Sequence, residues 1–477
     1  MKSSLYFCAV KRPKATKNPS EGQDKDNAKS WKNKALSRRQ ENALLQQRIK
    51  ELTASRDNWK NKYVALKAEQ AAPSQSVALG GEKARCHQYS TATVALILEL
   101  HKYGAMSLRS CHHSVGCMLV SLGLSERIPS HTTIRNWLCK GGLHRIKSGQ
   151  SVSGKYVVYV DESIVFGSEK ILLILGIPVD KIPHDRAVKH SDMEVLFVGA
   201  SAEWKAEHIE AELEKIARQK EIVYVVSDEG NNLRKAYKSM NYTHIEDCTH
   251  ILANHLKRLY STDVDFEAFR KLIGVLRKCW NLSKAHSQYM PPTMRGKMRF
   301  ANIFPCVAWA QKQLAEWANL PELVREKLAF LKEKDGFIAS LGGISTVFKT
   351  VCSTLKNEGF GDAQHTSISD NLDVVSASTT DVNTATFIDN CKGYLDHLDA
   401  KTKILNTTHL LASSDIIESF FGKFKTKINT NHRSGLTEFL FTIANFSTSF
   451  SLQETKKALE TIKLKDLKLP KKQANST

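Results

Sequence analysis

Two hydrophobic periods divide the chain. Between residues 155 and 230, apolar positions run in short β-branched blocks: "KYVVYVDESI", "KILLILGIPV", "MEVLFVGASA" and "EIVYVVSDEG". Such blocks predict four strands. The segment "AEHIEAELEKIARQK" between the last two has helical spacing and predicts a helix of about four turns. A further strand, "YTHIEDC", follows a helix at "NNLRKAYKSM" and leads into the helix "HILANHLKRLY". Three strands followed by helix–strand units describe an α/β core with a five-stranded sheet of mixed direction, its first part spanning 150–262. From 263 to 405 the strand pattern is absent. That stretch reads as a large all-helical insertion, with loops at "MPPTMRGK" and over the polar residues 358–384. A final core segment, 406–446, carries the helix "SSDIIESFFGKFKTK" at 413–427, and 447–477 reads as a basic tail.

The N-terminal third is helical in pattern. Leu45, Ile49, Leu52, Arg56, Trp59, Tyr63 and Leu66 alternate in steps of four and three, a heptad seam. The seam predicts either a self-associating coiled coil or one basic amphipathic helix lying on protein or DNA. With the polar, disordered-type stretch 11–34 it forms a basic arm over 1–75, and "AAPSQSVALGG" (71–81) reads as a linker. Residues 82–148 end in "RIPSHTTIRNWLCKGGLHRI", where Ser130 is an N-cap and Ile134, Trp137 and Leu138 are the buried face of a short helix closed by Gly141–Gly142. A short turn joins it to the helix in "SLRSCHHSVGCMLVSLGL". The pair has the form of a helix-turn-helix, with His131, Thr132, Arg135 and Asn136 exposed for DNA contact.

Charge narrows the choice of partner. The net charge is +20, the pI is near 9.4, and residues 1–70 hold 17 Lys/Arg against 7 Asp/Glu, half of the excess. A polyanion is the expected partner, because each cation that meets a phosphate releases condensed counterions. The ten cysteines contain no C-x-x-C pair, which predicts reduced thiols, and "CHHSVGC" lacks the paired spacing of a structural zinc site. No run approaches ~20 apolar residues, and the apolar part of "MKSSLYFCAVKRPK" is short for a signal peptide. The expectation is a soluble intracellular protein, with no membrane partner.

Three carboxylates carry the candidate chemistry. Asp161 ends the run "YVVYVD" and Asp228 ends "IVYVVSD", so each is predicted at the C-terminal end of a strand, the sheet edge where sites are built. In the 413–427 helix, Ile417, Phe420, Phe421, Phe424 and Ile428 make an apolar stripe, while Glu418, Gly422 and Lys425 share another face. Glu418 would then face the two aspartates from a packed helix. Three converging carboxylates repel one another unless a cation sits among them, and hard oxygen donors suit Mg²⁺. Gly422 would leave room for a DNA backbone, and Lys423 and Lys425 would face phosphates.

The ordered set "VYVDES", "VVSDEG", "DCTHILAN" and "SSDIIESFFGKFKTK" resembles DDE-type transposases, and more narrowly Mutator-like and related bacterial insertion-sequence enzymes. The resemblance implies an RNase H-like core with Asp161, Asp228 and Glu418 as catalytic metal ligands. The 190 positions from Asp228 to Glu418 would hold the helical insertion common in those enzymes. It also implies an Asp-x-x-His element with a following Asn, here Asp247, His250 and Asn254, near the active site. Lys425 matches the Glu-x6-Lys part of another insertion-sequence signature, although Leu411 and Ser414 occupy its Tyr and Arg positions. Implied with these are two Mg²⁺ ions per site (Mn²⁺ substituting), no nucleotide cofactor, and double-stranded DNA as element ends and target. A homodimer or larger synaptic complex is implied too, in the cytoplasm at the nucleoid, or in the nucleus of a eukaryotic host.

Overall fold

The structure, a computed structural model, describes residues 45–62 with a few positions before them, and 82–472 apart from 105, 124–126, 167–168, 284–285, 295–299, 429–436 and 470. The chain divides into two compact units, Met1–Ser76 and Val77–Thr477. In the first, residues 45–62 form one helix, α1, whose seam residues Leu45, Ile49, Leu52 and Trp59 are all more than half exposed. Tyr63, Leu66, the 11–34 stretch and the 71–81 linker lie outside the described residues.

The second unit is built on a mixed sheet. Its strands β1 (Gly154–Phe166), β2 (Glu169–Pro178), β3 (Glu194–Ser201), β4 (Lys220–Ser227) and β5 (His244–Glu246) lie in the order β5-β4-β1-β2-β3, and a two-residue strand β6 (Lys471–Lys472) pairs with β3. β1, β2 and β3 are antiparallel neighbours, while β4 runs parallel to β1 and β5 parallel to β4. The strands are apolar throughout because both faces are covered. Val158, Val160, Leu172 and Ile174 pack beneath α5 (Ala206–Ala217) and α6 (Asn231–Ser239). Val157, Tyr159, Leu173 and Val226 face α4 (His131–Ser151), α7 (Cys248–Tyr260) and α14 (Asp415–Lys427).

The insertion is helical as expected: α8 (Val264–Ser283), α9 (Phe304–Ala315), α10 (Glu322–Glu333), α11 (Asp335–Glu358), α12 (Asp362–Ser378) and α13 (Val382–Leu405). One expectation fails here, since α12 occupies the polar stretch read as a loop. Its packing rests on Ile368 and Leu372, four residues apart and each 1% exposed, a stripe too narrow to stand out in so polar a segment. Among the described residues α11 is long and apolar enough by composition to cross a membrane. Here its apolar side, including Ile338, Leu341, Ile344 and Val351, is buried among the other helices. α13 docks the insertion onto the sheet edge: Tyr394 Oη donates to Glu246 O (2.7 Å), and Lys401 Nζ pairs with the Glu246 carboxylate (2.7 Å).

The N-terminal helices α2 (Thr91–Tyr103), α3 (Leu108–Ser121) and α4 depart most from the sequence reading. Ser130 caps α4 as predicted, accepting from Thr133 N at 3.1 Å, but the helix runs on to Ser151. Gly141 and Gly142 are interior positions of close approach. A Cβ on Gly142 would stand 2.0 Å from Phe441 O, and one on Gly141 would stand 3.0 Å from the Phe450 ring. The connection from α3 to α4 spans 122–130, longer than the ~3–4-residue turn of a helix-turn-helix. Nor is the C-terminal segment a simple basic tail. A 3-10 helix (Glu438–Phe446) and α15 (Leu452–Thr461) bring Phe450, Leu459 and Ile462 into buried positions. Phe450 and Leu459 share one core with Val94, Ile97, Ile134 and Trp137. Arg145, itself buried, pairs with Glu454 (2.7 Å), donates to the carbonyls of Asn445, Thr448 and Ser449, and lies over the Phe450 ring.

The Gly142 contact is with backbone, which cannot swing aside. Gly142→Ala is therefore expected to destabilise by about 1–3 kcal/mol, against the usual helix preference for alanine. Chemical denaturation checks this, and an unchanged midpoint would contradict the close approach.

Candidate functional site

β1 and β4 set the two aspartates side by side. Their parallel register pairs Tyr159 with Val226, so Asp161 and Asp228 each lie two residues further on. Asp161 is not at a strand end, as the sequence suggested: β1 continues to Phe166 along β2, with Asp161 opposite Leu173. What ends near Asp161 is the pairing with β4. The β alternation that turns Val157 and Tyr159 toward α14 turns Asp161 and Ser163 the same way. Asp228 lies just past β4, where its Oδ1 accepts from Gly230 N (2.9 Å) and fixes the turn into α6.

Glu418 arrives from α14. Ile417, Phe420, Phe421 and Phe424 are 0–3% exposed and seat this helix on the sheet. Each such side chain contributes about 1.5–3 kcal/mol by its burial. Glu418, Gly422 and Lys425 are left on the exposed side. Lys425 Nζ donates to Ser163 Oγ (2.9 Å), so this end of the helix touches β1 two residues beyond Asp161.

The segment returning from the insertion aims α14. Leu410 bridges to Phe360, Leu411 N donates to Tyr224 Oη (2.9 Å), and Cys248 N donates to Ala412 O (2.9 Å). Asp247 completes the joint. Its Oδ1 caps α7 by accepting from His250 N (2.8 Å), while its Oδ2 accepts from Ser414 N (2.5 Å) and Ser414 Oγ (2.9 Å). His250, one turn into α7, then reaches Glu418, with Nε2 3.5 Å from Oε1. Asn254, on the next turn, donates to Glu229 Oε2 (2.7 Å), holding the residue after Asp228. Of the three auxiliary residues expected, Asp247 thus joins two helices, His250 touches Glu418, and Asn254 fixes the second-aspartate loop.

The electrostatics reflect this crowding. Burial, with Asp228 and then Glu418 adding repulsion, pushes the Asp161 carboxyl up to about 8. His250 is raised to about 9 by its hydrogen bond to Glu418, aided by the charges of Asp247 and Asp228, so it is an imidazolium at neutral pH. The donor set suits a hard divalent cation, since three carboxylates from three elements influence one another and His250 offsets only part of their charge. Among the described residues, however, no three His, Cys, Asp or Glu side chains are drawn together closely enough to hold an ion as they stand. Glu418 is engaged by His250 instead.

The expected DNA contacts fall in two groups. Lys423 and Lys425 lie on the exposed side of α14 beside Glu418. His131 and Thr132 are exposed at the start of α4, but Arg135 pairs with Glu438 (2.8 Å), and Asn136 is half-buried. Arg135 is thus occupied within the chain, because the C-terminal segment covers a face that the sequence left open. Glu229, Ser163 and Ser414 were missed. Glu229 stands in the quoted "SDEG", but its role depends on α7 folding back over the β4 end. No protein-family model matches the chain, and no curated protein is detectably similar to it.

Two outcomes follow. The unfolded chain releases the Asp161 proton near pH 3.9, whereas the folded one keeps it to about 8, so stability falls as pH rises through that interval. Asp161→Asn removes this loss: in chelator its Tm should exceed the wild-type value at pH 8 by roughly 2–6 °C and match it near pH 4. Asp247→Ala strips acceptors from three donors at one joint and should cost about 3–5 kcal/mol in denaturant titrations. A loss under about 1 kcal/mol would mean that the joint is held elsewhere.

Proposed function

We propose that this protein is a DNA transposase of the DDE type, with an RNase H-like catalytic core, that binds the ends of a mobile element and cuts and joins phosphodiesters there. One observation carries the reading: Asp161 and Asp228 are neighbours across two parallel strands, and Glu418, 190 residues later, lies close enough to raise the Asp161 pKa. The sheet order β5-β4-β1-β2-β3, with the first three strands antiparallel, supports the RNase H-like assignment. The helical segment between the second and third acids supports the narrower one.

In this reading Asp161, Asp228 and Glu418 hold Mg²⁺, with Mn²⁺ able to substitute. When bound, two ions would activate the attacking oxygen and neutralise charge on the leaving one. The chain's own groups do the rest. Asp161 carries a proton that must leave before its carboxylate can bind a cation, so affinity rises with pH toward about 8. His250 keeps Glu418 near the strand ends, and Asn254 holds the Asp228 loop through Glu229. Lys425 stands over β1 at Ser163, on the side from which a phosphate would enter. Two element ends must be processed together, so the working form is a homodimer or larger complex.

The test is cleavage and joining of duplex DNA carrying the sequences that flank the gene, in Mg²⁺ and in Mn²⁺. Glu418→Gln should lower both by at least about 10²-fold while DNA binding persists. Cleavage without joining would indicate a nuclease. Binding without cleavage by the wild type would indicate a DNA-binding regulator, and Glu418 would be an ordinary surface residue.

A further inference from the structure

α14 carries a glycine in the middle of its exposed side. Glycine inside a helix is unfavourable relative to alanine, and packing usually offsets the loss, as it does for Gly142 against Phe441. Gly422 has no such compensation, because a Cβ there would meet nothing within 4 Å. Glu418 and Ser419 stand on the turn before it, and Lys423, Lys425 and Thr426 beside and after it, all exposed. No described residue uses the room above Gly422.

A second helix borders that room. Lys427 Nζ donates to Gly104 O, which brings the last turn of α2, with Lys102 and Tyr103, against the last turn of α14. Lys102 and Lys423 thereby come close enough to interact: burial and then the Lys102 charge press the Lys423 ammonium pKa downward. Tyr103 is 70% exposed and bonds Ser449 through its hydroxyl (3.1 Å). On the far side, His190 meets Ser419 Oγ at 3.2 Å and is kept neutral, its pKa lowered to about 4 by burial and by Lys423 and Lys102. Glu99, the acid one turn earlier on α2, is engaged by Phe450 N (2.5 Å). Among the described residues neither Lys102 nor Lys423 forms an ion pair with a carboxylate. Lys102 Nζ donates to Thr448 O (2.6 Å), so among the described residues these two ammonium groups act on each other with a carbonyl but no carboxylate beside them, the mirror image of the three carboxylates nearby.

We propose that a DNA backbone crosses α14 over Gly422, with one phosphate seated between Lys102 and Lys423 and the strand continuing past Lys425 toward Glu418. This rests on DNA being the substrate, and it assigns the grip to a composite of α2 and α14 rather than to the start of α4. Glycine at 422 allows the backbone to approach the helix closely.

The experiment is fluorescence anisotropy of duplex DNA carrying the gene's flanking sequence, titrated with the full-length protein in chelator between about 50 and 200 mM salt. Lys102→Gln/Lys423→Gln, which empties the one phosphate seat, should reduce the slope of log K against log salt by about one and weaken binding at least about tenfold. The charge-matched control Lys327→Gln/Lys349→Gln, two exposed lysines of the insertion, should keep the wild-type slope. Gly422→Leu should melt no lower than wild type, since leucine is the better helix former, yet bind more weakly. A wild-type slope in Lys102→Gln/Lys423→Gln, or wild-type affinity in Gly422→Leu, overturns the proposed crossing and leaves the transposase reading standing. A wild-type protein that binds no duplex DNA overturns both.

Discussion

The candidate site depends on one buried carboxylate that stands apart from Asp161, Asp228 and Glu418. Asp247 is 1% exposed, yet it accepts from His250 N with one oxygen and from Ser414 N and Oγ with the other. Burial raises its pKa above the ordinary carboxylate value, while the donors and the neighbouring His250 pull the other way. The starts of α7 and α14 are therefore fixed to each other by a short, directional joint. His250 sits one turn up the first helix and Glu418 one turn up the second, so their meeting is a geometric consequence of that joint.

Around the joint, the insertion acts as a brace. It leaves the sheet after α7 and returns through α13, whose Tyr394 and Lys401 grip Glu246 on the edge strand. The chain then runs from Leu410 to Ser414 along Tyr224 and the start of α7 before turning into α14. Lys356 of α11 also pairs with Asp415, in the first turn of α14. The helix that carries the third acid is thus held from the insertion at one end and from α2 at the other, through Lys427 and Gly104. Its phenylalanine stripe fixes depth, and the two ends fix direction.

Much of this was legible in the residue pattern. The strands, the insertion and the apolar stripe of α14 were readable because each has a strong period and a long run. The adjacency of Asp161 and Asp228 was readable because both end apolar strand runs of similar length. What could not be read were contacts made between distant segments. Gly141–Gly142 read as a helix stop, since a paired glycine signals a C-cap unless another backbone comes close. Arg135 read as free because Glu438 lies three hundred residues away. α12 read as a loop because two buried residues in seventeen leave almost no amphipathic signal. Asp247 suggested an active-site auxiliary from its motif, but nothing local linked it to Ser414.

The C-terminal segment has a consequence for how the protein is made. α2, α3 and α4 cannot complete their core until Phe450 and Leu459 have left the ribosome, although these helices are synthesised first. At about 5–20 residues per second they wait for tens of seconds with Trp137 and Ile134 uncovered. Glu418 reaches the strand ends only in the last moments of the same interval. A nascent chain would therefore expose its basic N-terminal region well before Glu418 reached Asp161 and Asp228, and a product broken off anywhere before Glu418 would lack the third acid altogether.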